Sequence, residues 1–257
     1  MRKIAHDRRR VCLGEPTDHH VLAVQTAPRP LHDSLPDTLA SLERAGLARW
    51  PGPKILVADG CCPAAPPDWL VDASEPPAVG SARTFLRLLR LTVEKFPLTE
   101  FLTSFEDDVE LALNALDYIQ RVRFESDIHL VAWFTRWQQE DRAFPFKKSP
   151  SYLETVQHHH FRGTVAITIP RRTITTILSS PVTVDWPLRH GKDILIRSVM
   201  GNCLYAAHFP SIVQHVEGLN SACENAHMGD RKAETFVGET DFDAMDLLKS
   251  GKMIEKR

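Results

Sequence analysis

The first patterned segment is His20-Val-Leu-Ala-Val-Gln25, a short apolar run that closes at Thr26-Ala-Pro-Arg-Pro30. A continuous apolar run of this length, ended by proline, predicts a buried strand leading into a loop. From Ser34 to Leu47, Leu35, Leu39, Leu42 and Leu47 recur near helical spacing. Pro36 falls in a first turn that tolerates it and Gly46 lies near the end, which predicts a helix. Lys54-Ile-Leu-Val-Ala-Asp59 predicts a second strand, closed by Gly60, and a proline-rich loop follows from Cys61 to Pro77. Arg83 to Phe96 predicts an amphipathic helix with Leu86, Leu89 and Val93 inward. Glu100 to Phe105 predicts a third strand that runs straight into Glu106-Asp107-Asp108. Leu111 to Arg123 reads as helix and Ile128 to Phe134 as strand. Strand and helix alternate through this half, the pattern of a mostly parallel sheet covered on both faces.

The second half is less regular. Arg136 to Pro150 reads as a long polar loop, Phe161 to Pro170 as a strand, and Arg171 to Ser180 as a helix. Asp193 to Met200 reads as another helix and Cys203 to Ala207 as a short strand. Asp241 to Arg257 reads as a weak helix or a partly disordered tail. No linker, repeat or low-complexity tract divides the chain. The expected fold class is therefore α/β: one domain over residues 1–257, with a mostly parallel central sheet flanked by helices.

Composition narrows the class without changing it. The 257 residues are 43% hydrophobic and 25% charged, which excludes a disulfide miniprotein, a collagen-like chain and a disordered tail. No apolar run approaches the ~20 residues of a membrane helix, so no membrane span is expected. The N-terminal stretch MRKIAHDRRRVCLGEP has no apolar core and does not read as a secretory signal. The five cysteines (Cys12, Cys61, Cys62, Cys203 and Cys223) form no CxxC pair and read as reduced thiols, which points to the cytoplasm. A net charge of −2 does not favour a protein that grips many phosphates of a nucleic acid.

The chemistry concentrates in Phe105-Glu106-Asp107-Asp108-Val109-Glu110. Three successive acids at the end of an apolar strand repel one another, and a divalent cation such as Mg²⁺ or Mn²⁺ offsets that repulsion. In open α/β sheets ligands gather beyond the carboxyl ends of strands, where this cluster falls. The alternative is a solvated helix start, since acids favour helix N-termini. His215 follows the short apolar run near Val213 and is a candidate imidazole ligand. His158-His159-His160 reads as a polar strand entry, because successive strand side chains point to opposite faces. Trp133 reads as core, while Trp137 and Trp186 are open to a cleft role. Asp193 begins a helix and is a candidate general base, with Asp185 as runner-up. Its plain alternative is an N-cap.

The ordered set of Thr26 to Arg29, Asp59 at a strand end, Gly80-Ser-Ala-Arg83, Glu106-Asp107-Asp108, Arg162-Gly163-Thr164, His190-Gly-Lys-Asp193 and Gln214-His215 resembles nucleotide-sugar-dependent glycosyltransferases of the GT-A fold. The resemblance runs from about His20 to Ser221. The EDD form of the DxD motif looks like that of branching N-acetylglucosaminyltransferases and of some bacterial lipopolysaccharide glycosyltransferases. It implies a nucleotide-binding half over about residues 18–125, an acceptor and metal half over about 126–222, and a polar tail over 223–257. It further implies that Asp108 ligates Mn²⁺ or Mg²⁺, with His215 as the C-terminal metal or diphosphate partner. Glu106 and Asp107 would contact the nucleotide, and Thr26, Arg29, Asp59 and Arg83 would line the pocket for a uracil-type base and the phosphates. The implied reaction moves a sugar from a nucleotide-diphosphate donor, a UDP-sugar by this resemblance, to an acceptor hydroxyl, inverting the anomeric centre with Asp193 as base; if neither Asp193 nor Asp185 is a base, a retaining reaction is the alternative.

The acceptor is expected to be a glycan or a hydroxymethylated DNA base. The basic clusters Arg8-Arg9-Arg10, Lys147-Lys148 and Arg171-Arg172 permit DNA, and the net charge opposes it. Two other classes compete. A nucleotidyltransferase wants a glycine-rich basic signature near the first strand, and Thr26-Ala-Pro-Arg29 has no glycine there. A non-catalytic nucleotide-sugar-binding protein would show no donor turnover.

Overall fold

The computed structural model describes residues 8–10, 12–29, 33–123, 125–134, 152–156, 164–186, 191–201, 203–216, 233, 236 and 242–249. Its strands are β1 (Arg8–Arg10), β2 (Cys12–Leu13), β3 (His20–Thr26), β4 (Lys54–Ala58), β5 (Leu70–Ala73), β6 (Phe101–Glu106), β7 (Val109–Leu111), β8 (Val122–Arg123), β9 (Ile128–Ala132), β10 (Tyr152–Val156), β11 (Ala166–Pro170), β12 (Leu204–Phe209) and β13 (Val213–His215). Its helices are α1 (Leu35–Arg44), α2 (Ser81–Lys95), α3 (Ala115–Ile119), α4 (Arg171–Ser179), α5 (Lys192–Met200) and α6 (Asp246–Lys249).

Nine strands form one sheet in the order β1-β10-β12-β9-β11-β6-β3-β4-β5. The β6-β3-β4-β5 block is parallel throughout. Strand β11 runs against both β6 and β9, β12 runs with β9, and β10 runs against β12 and β1. Seven strands therefore share one direction, with β10 and β11 opposed, and the expected mostly parallel α/β sheet is what the chain forms.

Strand β3 shows why its sequence is an unbroken apolar run. Val21 and Ala23 pack with Ile55, Val57, Phe85, Leu89, Ile174 and Leu195 on the face covered by α2, α4 and α5. Leu22 and Val24 pack with Leu35, Leu42, Leu56 and Leu116 on the face covered by α1 and α3. Alternate residues face opposite cores, so a strand buried on both faces has no polar side to show.

Three sequence expectations need correction. The expected helix over Leu111–Arg123 is instead the end of β7, the short α3 and then β8. Its apolar positions do recur at helical spacing, but pairing of β7 with the distant β13 claims the first of them. The proline-rich loop contains β5, an edge strand. The strand expected to start at Phe161 is described from Ala166. Among the described residues no helix is long and apolar enough to cross a membrane.

Candidate active site

The parallel strands deliver their carboxyl ends to one edge. β3 ends at Thr26, β4 is followed by Asp59, and β6 ends at Glu106 with Asp107 and Asp108 in the turn behind it. Both aspartates are 3% exposed, so the triplet is not a solvated helix start. The helix assumed in that alternative is absent here, because β7 follows the turn directly.

Helix α1 explains how the acid turn is held. Its inward face carries Thr38 and Ser41 among the leucines, and both are buried. Thr38 Oγ1 donates to the Asp107 carbonyl at 2.7 Å and accepts from Val109 N at 3.2 Å. Ser41 Oγ accepts from Leu111 N at 2.8 Å. These hydroxyls satisfy backbone groups that a tight buried turn would otherwise strand. On the other side, β7 pairs antiparallel with β13, setting His215 opposite Val109. Val216 N then donates to the Asp108 carbonyl at 2.8 Å. That pairing brings His215 to the aspartates across more than a hundred intervening residues.

Each acid has a cationic or imidazole neighbour. Lys192 Nζ lies 2.9 Å from Glu106 Oε1. Arg29 Nη2 lies 2.5 Å from Asp107 Oδ1 and 2.8 Å from Asp108 Oδ2. His215 Nε2 lies 2.9 Å from the same Asp108 oxygen. Thr26 Oγ1 donates to Asp107 Oδ2 at 2.6 Å. Burial pushes the Asp108 carboxyl up, but His215 and Arg29 outweigh it and hold it below the ordinary aspartate value. For Asp107 burial wins: its carboxyl sits above the ordinary value although Arg29 and Thr26 pull it down.

One acceptor in this cluster is unsatisfied. Asp108 Oδ1 is buried and has no hydrogen-bond partner among the described residues. A buried carboxylate oxygen left unpaired is costly. With an imidazole nitrogen beside the same carboxylate, the donor set fits a divalent cation such as Mn²⁺ or Mg²⁺. Among the described residues no three His, Cys, Asp or Glu side chains converge into a complete cage.

The other expected residues fall nearby with different partners. Asp59 is buried, and its two oxygens accept from Val79 N at 2.7 Å and Gly80 N at 2.8 Å. Gly80 has φ +88°, a conformation that favours glycine and turns the chain into α2. Arg83, in the first turn of α2, donates to the Trp186 carbonyl at 3.4 Å. Trp186 is buried against α5 residues, and Trp133 is core as expected, donating to Thr168 Oγ1 at 2.7 Å. Asp185 is exposed.

Asp193 is the second residue of α5. Gly191 holds the N-cap position, so the N-cap alternative does not apply. Its carboxylate is 36% exposed and lies 3.6 Å from Arg197 one turn on. The residue before it is not singled out by the sequence pattern. Lys192 is 2% exposed in the first turn of α5, where the helix dipole disfavours a cation. That mismatch was the available signal. Its ion pair with Glu106 ties the start of α5 to the end of β6. His158–His160, Trp137, Lys147-Lys148, Arg162-Gly163, His190, the stretch from Glu217 to Ser221 and Cys223 lie outside the described residues. Among the described residues, the thiols of Cys61, Cys62 and Cys203 are free.

Fold and site together define an α/β protein with a buried, cation-compensated acid cluster at the carboxyl edge of a mostly parallel sheet. No protein-family model and no curated protein matches the chain. Among solved structures it is similar to a glycosyltransferase involved in the glycosylation of the major capsid of PBCV-1. That match has 11% identity and a TM-score of 0.39, over 73% of this chain and 82% of that one. It is also similar to the mannosyltransferase PcManGT from Pyrobaculum calidifontis, solved with GDP-Man and Mn²⁺. There the identity is 11% and the TM-score 0.45, over 72% of this chain and 53% of that one. A third is S. aureus TarS, at 12% identity and TM-score 0.42, over 72% of this chain and 57% of that one.

Proposed function

We propose that this chain is a metal-dependent glycosyltransferase that moves a sugar from a nucleotide-diphosphate donor to an acceptor hydroxyl. The observation that carries the reading is the buried Asp107-Asp108 turn, with His215 beside Asp108 and one Asp108 oxygen unsatisfied. Asp108 and His215 would hold Mn²⁺ or Mg²⁺, whose chemistry is to offset the charge that develops on the leaving nucleoside diphosphate. Thr26 and Arg29 orient Asp107 through its two oxygens. Asp59 fixes the backbone at the start of α2 by accepting from Val79 N and Gly80 N, and the Arg83 guanidinium in the first turn suits an anionic phosphate.

The acceptor oxygen attacks the anomeric carbon as the bond to the diphosphate breaks, and the acceptor proton passes to a carboxylate. Asp193 is assigned that role in an inverting transfer; the ion pair of the adjacent Lys192 with Glu106 supports the reading. The donor is read as a UDP-sugar and the acceptor as a glycan, with a hydroxymethylated DNA base as the alternative. The whole chain is read as a single domain that works in the cytoplasm. The test is incubation with Mn²⁺ and a panel of UDP- and GDP-sugars while donor hydrolysis is followed. Turnover of no sugar nucleotide in that panel overturns the enzyme reading and favours a binding protein. A salt-dependent gel shift on hydroxymethylated duplex separates the two acceptors.

A further inference from the structure

Arg29 does more at the acid turn than a pocket-lining residue needs to do. A single guanidinium nitrogen, Nη2, contacts Asp107 at 2.5 Å and Asp108 at 2.8 Å, and the Arg29 side chain is 8% exposed. The Asp108 oxygen that it touches is the one facing His215. Two adjacent buried carboxylates cannot both stay ionised without a cation, and here the chain supplies its own. The unpartnered Asp108 Oδ1 shows that this internal compensation is incomplete.

We propose that Arg29 is an internal counter-cation that holds the acid turn together in the absence of metal and competes with a divalent ion for Asp108. This rests on the metal-dependent reading above. A divalent ion on Asp108 and a guanidinium on the same carboxylate repel each other strongly in a poorly solvated site. Binding of the ion is therefore coupled to withdrawal of Arg29 from Asp108, while its bond to Asp107 can persist. The acid turn is folded before metal arrives, and the metal affinity is set lower than the carboxylate and imidazole alone would give.

Mn²⁺ binding is measured by the loss of the free-ion electron paramagnetic resonance signal in wild type and Arg29→Gln, with and without UDP or GDP. The expected result is at least tenfold tighter Mn²⁺ binding in Arg29→Gln. Equal or weaker binding by a folded variant, with wild type binding Mn²⁺, overturns this inference and leaves the metal reading intact. Failure of both proteins to bind Mn²⁺ under every condition removes both. A second readout needs no variant: phenylglyoxal labelling of wild-type Arg29, mapped by mass spectrometry, should rise when saturating Mg²⁺ is added. Labelling that stays constant or falls under saturating Mg²⁺ overturns the inference even if Arg29→Gln does not fold.

Discussion

Replacing Asp193 by Asn separates a catalytic carboxylate from a structural one. The swap keeps size and removes the proton acceptor. Its structural cost is bounded by what Asp193 touches. The pair with Arg197 at 3.6 Å, one turn along the helix, is worth about 0.3–0.5 kcal/mol. The favourable position of an acid in the first turn of α5 adds about 0.3–1 kcal/mol. The total is at most about 1.5 kcal/mol, or a fall in Tm of no more than about 6 °C for a chain of this size. Loss of a general base costs about 10²–10⁴-fold in rate, equivalent to roughly 3–5 kcal/mol in the barrier. The assay is kcat with the sugar nucleotide found in the donor panel, alongside UDP and GDP affinity and thermal melting. The expected pattern is a kcat loss of at least about a hundredfold, nearly unchanged nucleotide affinity and a small melting shift. Normal turnover would refute the assignment and pass the role to the exposed Asp185.

Other expectations follow from the same geometry. Exhaustive EDTA treatment should abolish donor turnover and Mn²⁺ should restore it; full activity without divalent ions would remove the metal role. Asp108→Ala should lower turnover far more than Glu110→Ala, because Asp108 meets Arg29 and His215 while Glu110 is exposed on β7; equal activities would detach the acid turn from function. Acid should destabilise the fold through two core histidines. Burial depresses His20 to about 3 and His208 to about 4. Below about pH 6.5 the unfolded chain takes up protons that the folded chain refuses. Stability is therefore complete above that value and falls by roughly 2–3 kcal/mol from pH 6 to pH 5, a Tm loss of about 5–10 °C. A Tm that is flat over this interval in circular dichroism would contradict it.

The parallel block was legible because burial on both faces leaves an unmistakable run, as in Val21–Val24, and because α2 must hide Leu86 and Leu89 on one side. Strand β5 was not, since an edge strand whose four residues alternate half-buried and exposed lacks that run and sits among prolines. The misreading at Leu111–Arg123 has a similar origin. Ala115, Leu116 and Ile119 do line one helix face, but what decides β7 is hydrogen bonding to β13, which no local window contains. At the site, the acids stood out as a string, and Asp193 stood out as an acid beginning a helix. Their partners did not. Thr38 reads as an ordinary helix residue, Lys192 stands beside a more conspicuous acid, and Arg29 reads as facing a ligand rather than the acids.

The pairing of β7 with β13 also imposes an order in time. Chain leaves the ribosome from the N-terminus, so β3, β4, β5 and β6 can align while the rest is still being made. Asp107 and Asp108 emerge with them, and Arg29 is already there to meet both. The imidazole beside Asp108 is not available until translation has passed His215, so a chain interrupted before β13 has Arg29 for the acid turn but no His215. Under the proposed metal-dependent reading, cation capture would then wait for β13, and half-made chains would lack the second donor.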